Sequence, residues 1–175
     1  VMGESAGTIE QWRDAARTIA EKYGLYTETA MIEVAASVRR LTLQFGLAAD
    51  QAIALTDAGV ALATVFGESP GSVTEALAMF VSTGQNAEGL RRFGFDLGTV
   101  SLQVAAARMG FDRLYRELSE GEQIQVRANA IMEQSAVFME DATVASHTLA
   151  GEMAVNAAAV NEQMRVTGQA WSALG

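Results

Sequence analysis

The chain contains one proline, Pro70, in 175 residues. Proline breaks the helices it enters and supplies turns and edges in all-β folds, so a chain almost without it can run helix after helix. Alanine, the strongest helix former, occurs 32 times. Half of the residues are hydrophobic but only 7% are aromatic. That mixture argues against a β-sandwich, whose strands need aromatic and β-branched residues. It also argues against disorder, which needs low hydrophobicity. The composition predicts an all-α fold, long enough to bury a core in one domain or two small ones.

Charge narrows the function. There are 12 basic and 21 acidic residues, a net charge of −9. Phosphate neutralisation supplies most nucleic-acid affinity, so this balance argues against specific nucleic-acid binding. The absence of cysteine removes disulfides, thiolate metal sites and a cysteine nucleophile. No basic segment followed by an apolar stretch opens the chain, so no secretory signal is expected. The opening Val1-Met2-Gly3 and the closing Trp171-Ser172-Ala173-Leu174-Gly175 read as cuts through a longer protein. The most apolar stretch, residues 47–66, contains Asp50, Gln51 and Asp57, which makes it a poor membrane span.

Periodicity and punctuation divide the chain. Thr8-Ile9-Glu10-Gln11 fits a capping box, in which hydroxyl and amide satisfy orphan backbone donors, and predicts a helix over 8–23 closed by Gly24. A second helix is expected over 27–45 before Gly46. A third, 48–66, is apolar on nearly all sides and therefore central or covered by a partner. After the turn Gly67-Glu68-Ser69-Pro70-Gly71, the box Ser72-Val73-Thr74-Glu75 predicts a helix over 72–83. Shorter helices are expected over 87–93, 99–109 and 111–118.

The box Ser119-Glu120-Gly121-Glu122 starts a different region. Residues Ile124, Ala128, Ile131, Ser135, Phe138, Ala142, Ala145 and Leu149 step 4, 3, 4, 3, 4, 3, 4. The phase then slips by one beside Gly151, and Met153, Ala157, Val160, Met164, Thr167, Trp171 and Leu174 resume the heptad. Residues 1–118 thus read as a bundle of short helices, and residues 119–175 as a long amphipathic helix or helical hairpin with heptad character. Its seam, carried by Ile124, Ile131, Phe138, Leu149, Met153, Val160, Met164, Trp171 and Leu174, calls for another helix of this domain or a second copy.

Candidate chemistry is sparse. Gly67-Glu68-Ser69-Pro70-Gly71 matches G-x-S-x-G, and Asp141 and His147 follow in hydrolase order. The context differs: no set of strands and no upstream glycine-rich oxyanion loop accompany it, and the same letters suit a helix-to-helix corner. His147, the only histidine, has Glu140 and Glu152 at spacings that are not recognised ligand pairs. Glu120 and Glu122 suit a helix N-terminus. Arg39-Arg40 and Arg91-Arg92 could bind phosphate, but in an acidic chain they are expected to pair with Glu33, Glu88 or Asp96. The eight methionines read as core filler. No catalytic, cofactor-binding or metal-ligating residue is expected.

One ordered set of motifs remains. Ser72-Val73-Thr74-Glu75-Ala76-Leu77 is followed by Thr83-Gly84 and then by Glu88-Gly89-Leu90-Arg91-Arg92-Phe93-Gly94-Phe95-Asp96-Leu97. Next come Gly110-Phe111, Leu118-Ser119 with Glu122-Gln123, the stretch Val126-Arg127-Ala128-Asn129-Ala130-Ile131-Met132-Glu133-Gln134-Ser135, the stretch from Asp141 to Ala150, and the close Trp171 to Gly175. Over about residues 40–175 this order resembles the tail tape measure proteins of long-tailed bacteriophages and prophages. His147 departs from the pattern, which there has a small or acidic polar residue. The resemblance implies a non-enzymatic structural protein that occupies the lumen of the tail tube, sets tail length during assembly and leaves at DNA ejection. It implies a place in the host cytoplasm during assembly and in the virion tail afterwards. The implied partners are further copies of itself, tube, tail-tip and tail-assembly chaperone proteins, with membrane contact at ejection. It carries over no catalytic residue. The rival readings are a helical interaction module of a bacterial effector and a membrane-active helical domain built on residues 47–66.

Overall fold

In the computed structural model the backbone is described over residues 6–44 and 46–172, and the side chains over residues 9–40, 46–149 and 152. Among the described residues the fold is all-helical, with no strand. The helices are α1 (Ala6–Tyr23), α2 (Glu28–Gln44), α3 (Ala49–Phe66), α4 (Pro70–Thr83), α5 (Ala87–Arg91), α6 (Thr99–Arg108) and α7 (Glu120–Ser172), with a 3-10 turn at Tyr115–Glu117 before α7.

The helix ends follow local chemistry. Thr27 accepts the Ala30 N–H through its hydroxyl at 3.2 Å and so opens α2. Gly67 and Gly84 take the left-handed conformation that closes α3 and α4. At the start of α7 the expected capping box is present: the Glu122 carboxylate accepts the Ser119 N–H at 2.7 Å, and Ser119 Oγ accepts the Glu122 N–H at 3.4 Å.

Four boundaries differ from the sequence expectation; one is the end of α5, expected at 93 and found at Arg91, where the chain turns toward the left-handed Gly94. Helix α1 begins at Ala6, so the Thr8 pattern lies inside it. Helix α4 begins at Pro70 rather than Ser72, because the fixed φ of proline suits the first helical position and Ser69 already supplies the extended cap. Residues 111–118 form an irregular loop and one 3-10 turn instead of a helix. There the Gln103 side chain accepts the Tyr115 N–H at 2.7 Å and donates to the Arg113 carbonyl at 3.3 Å, taking the place of helical bonds.

Helix α3 is central. It packs against α1, α2, α4 and α7, and it buries residues on all sides, among them Leu55, Ala58, Gly59, Val60 and Leu62. That all-round burial explains the nearly uniform apolar character of its sequence. The main apolar cluster joins Trp12, Leu55, Leu77, Phe80, Leu90, Phe93, Phe95, Leu118, Ile124 and Ile131, so residues on both sides of position 118 share one core. A second cluster joins Ala16, Ile19 and Tyr23 of α1 with Met31, Val60, Ala61 and Ala142.

Candidate functional site

The segment after α5 is the most structured non-helical piece. Leu90, Phe93, Phe95 and Leu97 are buried, while Arg91, Arg92, Gly94 and Asp96 face out. Residues 93–97 thus alternate with the period of an extended strand. Gly94 sits at φ +85°, which a side chain would strain, and its open side lies against the Phe138 ring. Helix α7 supplies the pairing that a sheet would otherwise supply. Gln134 accepts the Asp96 N–H at 2.8 Å and donates to the Asp96 carbonyl at 3.0 Å. The Asp96 carboxylate in turn accepts the Ser101 hydroxyl at 2.6 Å and the Gly98 N–H at 3.3 Å, which holds its pKa below the ordinary value and anchors the start of α6.

Arg127 is the second constructed feature. It is 4% exposed, on the apolar face of α7 between Ile124 and Ile131. Its guanidinium donates to the Val81 carbonyl at 2.7 Å, the Ser82 carbonyl at 3.1 Å and the Tyr115 hydroxyl at 2.9 Å. Two of these acceptors are in the last turn of α4, where carbonyls lack helical partners and the helix dipole is negative. A buried cation is therefore neutralised by a helix end, and among the described residues no carboxylate bridges it. Sequence reading missed Arg127, although a lone arginine at an i+3 and i−4 position between two core isoleucines was the signal.

Along α7 the expected seam divides. Ile124, Ala128, Ile131 and Ser135 are buried in this chain's own core. Phe138 is half-buried, its ring 5.8 Å from Phe66 and 6.3 Å from Phe95. Ala142 is buried, but the next buried position is Ser146, while Ala145 and Leu149 are exposed. A straight helix turns every 3.6 residues, so its inward line drifts off a 3.5-residue repeat. The side chains of Met153, Val160, Met164, Trp171 and Leu174 lie outside the described residues.

The other sequence candidates are dispersed. Ser69 is exposed at the cap of α4, in a helix-to-helix corner. Asp141 and His147 are exposed on α7. Arg91 pairs with Glu88 at 3.0 Å, as expected, whereas Arg92 pairs with Glu68 at 3.4 Å. Among the described residues no group of His, Asp and Glu has the arrangement to hold a metal ion.

Helix α3 is long and apolar enough to cross a membrane, and half of it is buried inside the fold. Its Asp57 has an internal role: the Asp57 carboxylate accepts Lys22 Nζ at 2.7 Å and the Tyr23 hydroxyl at 2.8 Å, fixing α1 to α3. Burial and the neighbouring Asp57 charge push the Tyr23 hydroxyl pKa well above its ordinary value. Comparison with protein-family models, curated proteins and solved structures finds no match to this chain.

Proposed function

We propose that the chain is a segment of a phage tail tape measure protein, a non-enzymatic ruler that occupies the tail lumen, associates with copies of itself and meets tube, tip or chaperone proteins. The observation that carries the reading is the ordered motif set and the way two of its members interlock. The Leu90–Leu97 motif and the Val126–Ser135 stretch lie far apart in sequence, and Gln134 joins them by two hydrogen bonds to the Asp96 backbone. Motifs that lock onto one another act as one folding unit, which gives their order a physical reason. The heptad spacing after residue 149 supports a helix that continues along a tube axis. A helix rises about 1.5 Å per residue, so the 53 residues of α7 extend about 80 Å. The acidic balance supports a protein that shares a channel with DNA without gripping it.

The test is genetic and structural. Deleting residues 1–175 in frame from the phage or prophage gene that encodes them should shorten the tail, by at most about 260 Å for a fully helical ruler. Electron microscopy of purified particles reads that length, and tails of unchanged length refute the ruler role.

A further inference from the structure

Two exposed patches on different elements have opposite character. The first is a groove of about 360 Å³ on α6 and the following loop, lined by Thr99, Val100, Gln103, Val104, Leu114 and Arg116. Val100 is 78% exposed, Val104 45% and Leu114 44%. Arg116 supplies its only charge, and it makes no ion pair among the described residues. The second is a ridge on the outer face of α7. Val137 is 69% exposed and Val144 64% exposed. They lie two turns apart on one face, with exposed Glu140 and Asp141 between them. Neither carboxylate makes an ion pair among the described residues.

We propose that the chain associates head to tail with a second copy of itself, the Val137–Val144 ridge of one copy seating in the Val100–Leu114 groove of the next. Charge selects this pairing over the like-on-like ones. A ridge against a ridge sets carboxylates opposite carboxylates, and α7 has no lysine or arginine between Arg127 and Arg165 to relieve them. A groove against a groove sets Arg116 opposite Arg116. Only the ridge in the groove buries valines on valines and brings Glu140 and Asp141 to Arg116. Such a contact is heterologous, so each copy leaves one free ridge and one free groove, and growth continues unless the rotation closes a ring. This names the surfaces for the self-association in the ruler reading above, and its test reads those surfaces alone.

Sedimentation velocity of the purified chain should show species that grow with concentration and shrink with added salt. Val100→Asp and Val137→Asp should each abolish growth, with unchanged far-UV circular dichroism because both positions are exposed. An equimolar mixture of these two variants should give dimers and nothing larger, since one free groove and one free ridge remain to pair. Arg116→Glu should weaken association about threefold, and mixing it with Glu140→Arg should restore that loss. A wild-type chain that stays monomeric, a single valine variant that still associates, or a mixture that stays monomeric overturns the proposal. The tail-length measurement is unaffected by any of these results.

Discussion

The crossing of α3 and α4 depends on one atom that Gly59 lacks. A Cβ placed there lies 2.8 Å from the Thr74 Cα and 2.8 Å from its Cβ, and nearer still to its hydroxyl oxygen. In an open helix, glycine to alanine stabilises by about 1 kcal/mol through backbone entropy. Overpacking a tight site costs about 1–3 kcal/mol. Because a backbone carbon cannot rotate away, the upper end of that range applies, and the net expectation for Gly59→Ala is a loss of about 2 kcal/mol. Gly121→Ala is the matched control: it lies in the first turn of α7 with no atom within 4 Å of the added carbon, and it should gain up to about 1 kcal/mol. Thr74→Ala in the Gly59→Ala background removes the hydroxyl and methyl but neither the Cα nor the Cβ, so it should recover less than half of the loss, on the order of 0.5 kcal/mol. Urea denaturation followed by circular dichroism reads all four proteins. A Gly59→Ala midpoint at or above wild type, matching Gly121→Ala, refutes the close-approach argument.

Arg127→Met leaves the Val81 and Ser82 carbonyls buried without their donor and should lose about 2–4 kcal/mol by urea denaturation; Arg127→Lys should recover part of it. The Tyr23 hydroxyl has a folded-state pKa raised above the ordinary 10.0, so its contribution is complete below that pH and lost as pH rises through and beyond it. Tyr23→Phe should be less stable at neutral pH and flatter than wild type in an alkaline melt series. Glu122 is shifted the other way, below 4.5, chiefly by the Ser119 hydroxyl and then the Ser119 N–H. Its contribution is present above that value and lost as pH falls through the folded-state pKa, so Glu122→Gln should flatten the acid limb of stability against pH. Gln134→Ala should cost about 1–2 kcal/mol and remove hydrogen-exchange protection from the Asp96 amide without melting α7.

What was legible in the sequence was whatever depends on neighbours in the chain. The helices and most of their ends follow from glycine, proline and capping side chains, and α3 declared its central place by being apolar all round. The errors have a common cause. Residues 111–118 look helical, but Gln103, eight residues and more away, takes their backbone groups. The inward line of α7 leaves the heptad at Ser146 because the helix follows 3.6 residues per turn, which spacing alone does not reveal. Arg127, Gln134 and the Lys22–Asp57–Tyr23 cluster were not found as a set, because their partners lie on other helices. A polar residue on an apolar face signals a buried partner, but a single sequence does not say which one.

Those distant polar partners explain how such a plain sequence reaches one structure. Alanine-rich faces give interfaces with little relief, and a helix could slide along one by a turn at small cost. The buried hydroxyls of Thr56, Thr74 and Ser135 do not prevent sliding, because these three bond within their own helices: Thr56 to the Ala52 carbonyl at 2.9 Å, Thr74 to Pro70 at 2.6 Å and Ser135 to Ile131 at 2.6 Å. Register is fixed instead by side chains that bond across elements. Tyr23 and Lys22 fix α1 on Asp57 of α3. Gln125 meets Gln51 of α3 at 2.6 Å, Arg127 caps α4, and Gln134 holds the Asp96 backbone. These three pins fall between residues 125 and 134, alongside the exposed ion pairs of Glu133 with Arg108 at 3.1 Å and Glu122 with Arg113 at 2.7 Å, and a shift of one turn would break them while burying Arg127 without its carbonyls. The polar pins thus set the register of the first turns of α7, and Phe138 and Ala142 carry the same packing onward, Ala142 against α1 and α3.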